Sequence, residues 1–296
     1  MKKAIKILVV LVVALLLAVV AAFHFFGTQI RLLTGRPLYL IPPSPVALAE
    51  EAIYCMNLQG LYAEGDAWQQ AKETLRKEAE AAESREAVYD AIDRAAKVAG
   101  GKHSAYYAHE KVEELPFERP TAKIQDDVLV LHLPGFMGTA AEGKIYAKIL
   151  SDAIEAGGYR RIVVDLTDND GGNMYPMLAG LSATLDDGVL FRFRDRHEQT
   201  LDVEIGKANI SGAEKKSVDV PVEVQIGPGT ASSGEMVALA YKGADNATLT
   251  GEPTAGYNTA NILIPLYESD LQLTTSKTVD REGEVWEDRP IPPDGA

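Results

Sequence analysis

Cysteine is nearly absent. Cys55 stands alone in 296 residues, so neither an intramolecular disulfide nor a cysteine-based zinc site can form. It reads as a small buried apolar residue, and it lies too far beyond the apolar leader to carry a lipoprotein's lipid. Basic residues are outnumbered, with 29 Lys and Arg against 43 Asp and Glu, a net charge of −14. An acidic surface repels phosphate backbones, which argues against a nucleic-acid partner. Removing Lys2, Lys3 and Lys6 would leave the remainder more acidic still. Internal repeats and low-complexity tracts are missing too. The 46% apolar content falls in separate periodic blocks, which excludes disorder as the main state. At about 150 residues per domain, the length allows one large domain or two modest ones.

The one long apolar run is at the amino terminus. Met1-Lys2-Lys3-Ala4-Ile5-Lys6 supplies a positive end, and Ile7 to Phe26 is uncharged, about the 20 residues needed to cross a bilayer. The run exceeds a signal peptide's apolar region of about 7–15 residues, so residues 1–30 read as a signal anchor. The rival is a cleaved signal peptide ending near Val20-Ala21-Ala22. In both readings the lysines stay inside and Arg31 onward lies outside the membrane. A single uncharged span cannot build a transport pathway.

Residues 31–45, with Pro37, Pro42, Pro43 and Pro45, read as a stiff linker. Apolar residues at helical spacing then predict helices over Val46–Ala63, Asp66–Ala82 and Ser84–Ala99, the last stopped by Gly100-Gly101. This gives a helical subdomain over 46–100. From residue 101 the pattern alternates. Strands are predicted at Asp127–Leu133, Arg161–Leu166, Gly188–Arg194, Leu201–Ile205 and Pro221–Ile226, and helices at Ala140–Ala156, Pro176–Leu185 and Ser232–Lys242. Such alternation implies an α/β layer structure with parallel strands, whose sites collect in the loops after the strands.

Three loops carry candidate chemistry. In Gly229-Thr230-Ala231-Ser232-Ser233-Gly234-Glu235-Met236, Ser232-x-x-Glu235 fits a plain capping box. The same geometry exposes a serine hydroxyl on a sharp strand-to-helix turn, where the helix N-terminus favours developing negative charge. Asp165-Leu166-Thr167-Asp168-Asn169-Asp170-Gly171-Gly172-Asn173-Met174 invites a calcium-loop reading that fails on spacing: counting from Asp168, Asn173 stands where glycine belongs and Ala179 where glutamate belongs. Its paired glycines could instead turn backbone N–H groups toward an oxyanion, or form an ordinary turn. The third loop, Gly100-Gly101-Lys102-His103-Ser104-Ala105-Tyr106-Tyr107, holds one of five histidines. Of the others, His24 is in the apolar run, His132 sits in a strand beside a proline, and His109 and His197 lie in charged stretches. The glycosylation matches Asn209-Ile210-Ser211 and Asn246-Ala247-Thr248 are short enough to arise by chance.

Together the loops resemble a known family. The Asp-Asn-Asp-Gly-Gly loop, then Thr-Ala-Ser-Ser-Gly-Glu-Met, then Leu249-Thr250-Gly251-Glu252-Pro253-Thr254-Ala255-Gly256, then Arg281-Glu282-Gly283 to Pro290-Ile291-Pro292-Pro293-Asp294 resemble the S41 peptidases, the carboxy-terminal-processing or tail-specific serine proteases. Residues 230–236 are especially similar to the signature of the nisin resistance protein branch, with Gly234 where that branch has alanine. There is no room for the usual PDZ domain, because only about Lys111 to Lys123 separates the helical part from the core. The family's serine–lysine dyad takes its lysine just after the glycine of the Gly-Glu-x-Thr-x-Gly segment; Tyr257 stands there, and no lysine occurs from Gly243 until Lys277. A tyrosine of ordinary pKa, about 10, is a poor base at neutral pH.

The resemblance therefore implies a Ser232–His103 dyad. Oxyanion donors would come from Gly171 or Gly172 and from Ser233, with Glu235 and Ser104 as auxiliary residues and no metal or organic cofactor. It also implies an α/β fold: a ClpP/crotonase-like layered protease core over 101–296, with an N-terminal transmembrane helix and the small helical subdomain, and the cleft expected where the helical subdomain meets the core. The expected protein is a serine endopeptidase anchored in a bacterial cell membrane, its catalytic domain extracytoplasmic. Its partners would be the membrane and a peptide or unfolded protein cut near the carboxyl end, including a lantibiotic such as nisin. The alternatives are a serine–lysine enzyme using Lys277 and a catalytically inactive peptide-binding module.

Overall fold

The computed structural model describes residues 2–25, 39, 42–109, 117–205 and 217–295. Most of the linker expected over 31–45, part of the connection before Lys123, and Asn209-Ile210-Ser211 lie outside these residues. Along the chain come α1 (Lys2–Phe25), α2 (Pro45–Gln59), α3 (Gly65–Ala81), α4 (Tyr89–Gly100) and β1 (Ala105–Ala108). Next are β2 (Thr121–Gln125), β3 (Val128–His132), α5 (Ala140–Ala156), β4 (Arg161–Asp165), α6 (Met174–Gly180), β5 (Val189–Asp195) and β6 (Thr200–Glu204). The chain ends with β7 (Val222–Ile226), α7 (Ser233–Tyr241), β8 (Ala247–Gly251), β9 (Ala260–Leu266), β10 (Ser269–Asp280) and β11 (Val285–Trp286). Two compact units divide it, Met1–Val112 with Asn261–Thr274, and Glu113–Ala260 with Thr275–Ala296.

In the first unit, α1 contains an 18-residue stretch, Ile5–Ala22, of mean hydropathy 3.1, long and apolar enough to cross a membrane. Helices α2 to α4 bury Leu48, Ile53, Met56, Trp68, Leu75 and Ile92 around one core, joined by Ile264, Leu266, Leu271 and Leu273 from the segment that returns late in the chain. Each such side chain contributes about 1.5–3 kcal/mol when fully buried. Ser44 caps α2 by accepting from the Ala47 N–H, with Pro45 at the first helical position, where its missing N–H is harmless. The helix predicted over Val46–Ala63 stops at Gln59 because the chain turns to bond elsewhere. Leu61 N–H donates to Thr274 O at 3.0 Å and Tyr62 N–H to Ala99 O at 2.8 Å. The helix predicted from Ser84 begins with a short 3-10 turn, Glu86–Val88, before α4. It ends as expected, at Gly101, with φ 81°. β1 pairs antiparallel with the first part of β10, Ala105 opposite Gln272.

The second unit is built on the sheet β2-β3-β4-β7-β8, in which only β2 runs antiparallel to its neighbour. Helix α5 occupies the bounds predicted for it. Thr139 and Glu142 form a reciprocal capping box at its start and Gly157 ends it. Leu129, Leu131, Ile162, Val164 and Val224 of the sheet join Tyr146, Leu150 and Ile154 of α5 and Val237 of α7 in one core. The helix predicted over Pro176–Leu185 spans Met174–Gly180 instead, followed by a 3-10 turn at Ser182–Thr184. The hairpin β5–β6 pairs through β5 with the second part of β10. The loops after β3, β4, β7 and β8 leave the carboxyl ends of four mutually parallel strands, where α/β sheets place their sites.

Candidate active site

The sequence around Ser232 folds as a strand, a tight turn and a buried helix. The turn is tied down before it reaches the serine. Gly227 N–H donates to Thr230 Oγ1 at 3.0 Å, that hydroxyl donates to Leu166 O at 2.7 Å, and Ala231 N–H donates to Asn169 O at 2.9 Å. Ser232 then has φ 50° and ψ −117°, a conformation that costs a residue with a side chain about 1–3 kcal/mol. Helix α7 starts at the next residue, and all nine of its residues are buried, so the serine sits on a rigid post while itself remaining partly open to solvent.

The loop after β4 lies against it. A Cβ added to Gly171 would come within 2.7 Å of Ser232 Cβ and 3.1 Å of its Oγ. Gly171 has φ 120° and Gly172 φ 94°, and a side chain on Gly172 would overlap the carbonyl of Phe136. The two glycines differ in their surroundings. Gly171 is buried and donates to Asn169 Oδ1 at 3.1 Å. Gly172 is exposed, and its carbonyl accepts from Ser233 Oγ at 2.5 Å. Asn169, fully buried, ties the assembly together, because its side chain also donates to Leu133 O at 2.9 Å. Asp168 and Asp170 on either side of it are exposed.

Glu235 lies one turn into α7 and is fully buried. Its Oε2 accepts from Ser232 N–H at 3.2 Å and Tyr257 N–H at 2.5 Å. Its Oε1 accepts from Thr254 Oγ1 at 2.5 Å, Gly256 N–H at 3.0 Å and Asn258 Nδ2 at 3.1 Å. Burial pushes this carboxyl above its ordinary range, against the pull of the hydrogen bonds from Thr254, Tyr257, Gly256 and Ser232. A helix cap needs one of these bonds; the other four bind the loop after β8 to the serine-bearing helix. The carboxy-terminal segment in turn holds that loop, with Ile291 N–H donating to Thr254 Oγ1 at 2.8 Å and Asp294 accepting from Leu249 N–H at 2.7 Å.

His103 and Ser104 belong to the first unit. Both are buried, in a turn pinned to β10: Gln272 Nε2 donates to His103 O at 2.8 Å, and Thr274 N–H donates to Ser104 Oγ at 3.0 Å. His109 contacts Asp270 at 2.7 Å. His132 Nδ1 lies 3.0 Å from Asp165 Oδ2 on the sheet face opposite Leu131 and Leu133, away from the core that holds α7. Lys277 Nζ forms an ion pair with Glu287 at 2.8 Å. The adjacent Thr278 donates instead to Asn258 O at 2.7 Å, and alternation along the strand sends Lys277 to the other face.

The structure thus gathers Ser232, Ser233, Gly171, Gly172 and Glu235 in the second unit. It adds Asn169, Thr230 and Thr254, whose roles had no local sequence signal beyond lying in the matched motifs, and Asn258, which lies just past one of them. Among the described residues no group of three or more His, Cys, Asp or Glu side chains is arranged to hold a metal ion.

A serine on a strained strand-to-helix turn, backed by glycine N–H groups, is the mark of an acyl-transfer hydrolase. The model of peptidase family S41 matches residues 127–296, and the chain belongs to that family: it is a serine peptidase, a hydrolase of peptides, on a mixed α/β fold. It is 33% identical to a nisin-resistance protein of Lactococcus lactis subsp. lactis over 87% of this chain and 85% of that protein. It is 27% identical to the carboxy-terminal processing protease CtpA of Bacillus subtilis (strain 168), over 62% of this chain but only 38% of that protein. The solved structure of a lipoprotein from Streptococcus agalactiae superposes with a TM-score of 0.78 at 27% identity, covering 87% of this chain and 93% of that one.

Proposed function

We propose that the protein is a membrane-anchored serine peptidase working outside the cytoplasm, with Ser232 as nucleophile and His103 as general base. The backbone at Ser232 carries this reading: a positive φ in a residue with a side chain, at the N-terminus of a fully buried helix, is strain kept for exposing a hydroxyl. His103 takes the serine proton as Oγ attacks the peptide carbonyl and returns it to the leaving amine; water then hydrolyses the acyl-enzyme. The N–H groups of Gly172 and Ser233 receive the oxyanion, since the Gly171 N–H already donates to Asn169. Glu235 positions the serine, and Ser104 holds the turn that carries His103. Helix α1 is the anchor, with Lys2, Lys3 and Lys6 on the cytoplasmic side of a bacterial cell membrane. The domain division runs 1–30, 31–45, 46–100 and 101–296, with the returning segment Asn261–Thr274 completing the helical core.

The substrate is a cationic peptide cut near its carboxyl end, of which a lantibiotic such as nisin is one example. Three observations support this class: the relatives' names, the charge of −14, and the exposed carboxylates of Asp168 and Asp170 beside the oxyanion loop. The test uses the full chain in detergent micelles with a peptide substrate. Ser232→Ala and His103→Ala should each lower turnover by about 10⁴–10⁶, and the double variant should fall no further, because members of one catalytic unit fail together. A variant that keeps substantial turnover removes that residue from the mechanism. Collapse in Lys277→Met with His103→Ala active would give the base to the lysine. A folded wild type that a serine-directed phosphonate does not label would favour a peptide-binding module.

A further inference from the structure

Phe136 and Met137, in the loop after β3, are adjacent residues with opposite fates. Phe136 is 1% exposed and Met137 88%. No other large apolar side chain among the described residues exceeds 66%, the membrane-length helix included. Lone exposed apolar residues are ordinary on protein surfaces, so position has to decide whether this one matters.

Phe136 is fastened to the oxyanion loop. Its N–H donates to Gly171 O at 2.9 Å and its carbonyl accepts from Asn173 N–H at 2.7 Å, a parallel bridge to Gly172. Its ring packs edge-on to Phe117 at 5.8 Å and Tyr146 at 5.3 Å. The glycines on either side allow this close docking. A side chain at Gly135 would overlap Asp170, and one at Gly138 would come within 2.7 Å of the Phe136 ring. Met137 is therefore held out beside Gly172 and Asn173, both exposed, one residue beyond a backbone that touches Ser232 through Gly171. An unbranched thioether adapts to aliphatic and aromatic shapes alike.

We infer that Met137 forms the subsite that receives an apolar side chain of the peptide next to the scissile bond. The inference rests on Ser232 being the nucleophile and adds to the cationic substrate class an apolar residue beside the cut.

The experiment digests a defined peptide pool with the full-length wild type, Met137→Ala and Met137→Lys, and sequences the products by mass spectrometry. One position of the wild-type cleavage profile should favour Leu, Ile or Phe. Met137→Ala should lower kcat/KM for those peptides by about tenfold, mainly through KM, because a hydrophobic pocket discriminates by roughly that much. Peptides with Ala at that position should change by less than about twofold. Met137→Lys should shift the preference toward Asp and Glu. Variant profiles that superimpose on the wild type overturn the inference while leaving the peptidase reading intact. A wild type that cleaves nothing and resists the phosphonate overturns both.

Discussion

Replacing Glu235 by glutamine separates a helix cap from a clamp that positions the nucleophile. Only a carboxylate can accept from all five donors; an amide has one accepting atom and one NH₂ group that cannot accept. If the NH₂ takes the place of Oε2, it faces the N–H groups of Ser232 and Tyr257. If it replaces Oε1, it faces Gly256 N–H and the Asn258 amide, while the Thr254 hydroxyl can rotate. Each placement takes the acceptor from two donors, half-buried ones at Oε2 and buried ones at Oε1. At about 1–3 kcal/mol for each unsatisfied group, the change should cost roughly 2–6 kcal/mol, against about 1 kcal/mol for a cap alone. At about 2–4 °C per kcal/mol for a unit of this size, the thermal midpoint should fall by roughly 4–24 °C. A Trp68→Phe background leaves Trp286, buried in the second unit, as the one remaining tryptophan of two, so its fluorescence follows that unit's unfolding. Where the NH₂ takes the place of Oε2, turnover should drop as well, because the Ser232 N–H then loses its acceptor. A loss below about 1 kcal/mol with unchanged kcat would refute the clamp.

Gly172→Ala should lower kcat by about 10²–10³, since the added side chain would overlap the Phe136 carbonyl and displace the N–H proposed to receive the oxyanion; kcat unchanged in a folded variant would remove Gly172 from the site. Burial works to raise the pKa of Asp165, but hydrogen bonds from Thr167 and His132 outweigh it and hold the carboxyl below 3.8. In acid the unfolded chain then binds the extra proton, so stability present above that value is lost as pH falls through the folded pKa. Asp165→Asn should flatten this acid limb in denaturation midpoints measured from pH 5 downward, and an unaltered limb would contradict the assignment.

Much of the architecture was legible because it is periodic. The apolar spacing and terminal glycines of α5 define its ends without reference to anything distant, and the buried runs of β4 and β7 announce parallel strands. Strand β10 shows little signal because it interleaves Thr, Ser, Lys and Asp with few apolar residues, β8 and β11 are short, and the apolar run of β9 is broken by Pro265. Residues such as Thr274 and Thr278 are buried only through partners elsewhere in the chain.

The site divides the same way. The order of its motifs, the serine on a strand-to-helix turn and the two glycines could be read residue by residue, because turn geometry and capping are local. That Asn169 occupies the Gly171 N–H, and that the loop after β8 closes on Glu235, could not be read from the sequence. Nor could the bond that Ser104 Oγ accepts from Thr274 N–H, 170 residues away, be read there. Hydrogen-bond partners of this kind are chosen by packing between distant segments, and a linear pattern holds no record of which donor meets which acceptor.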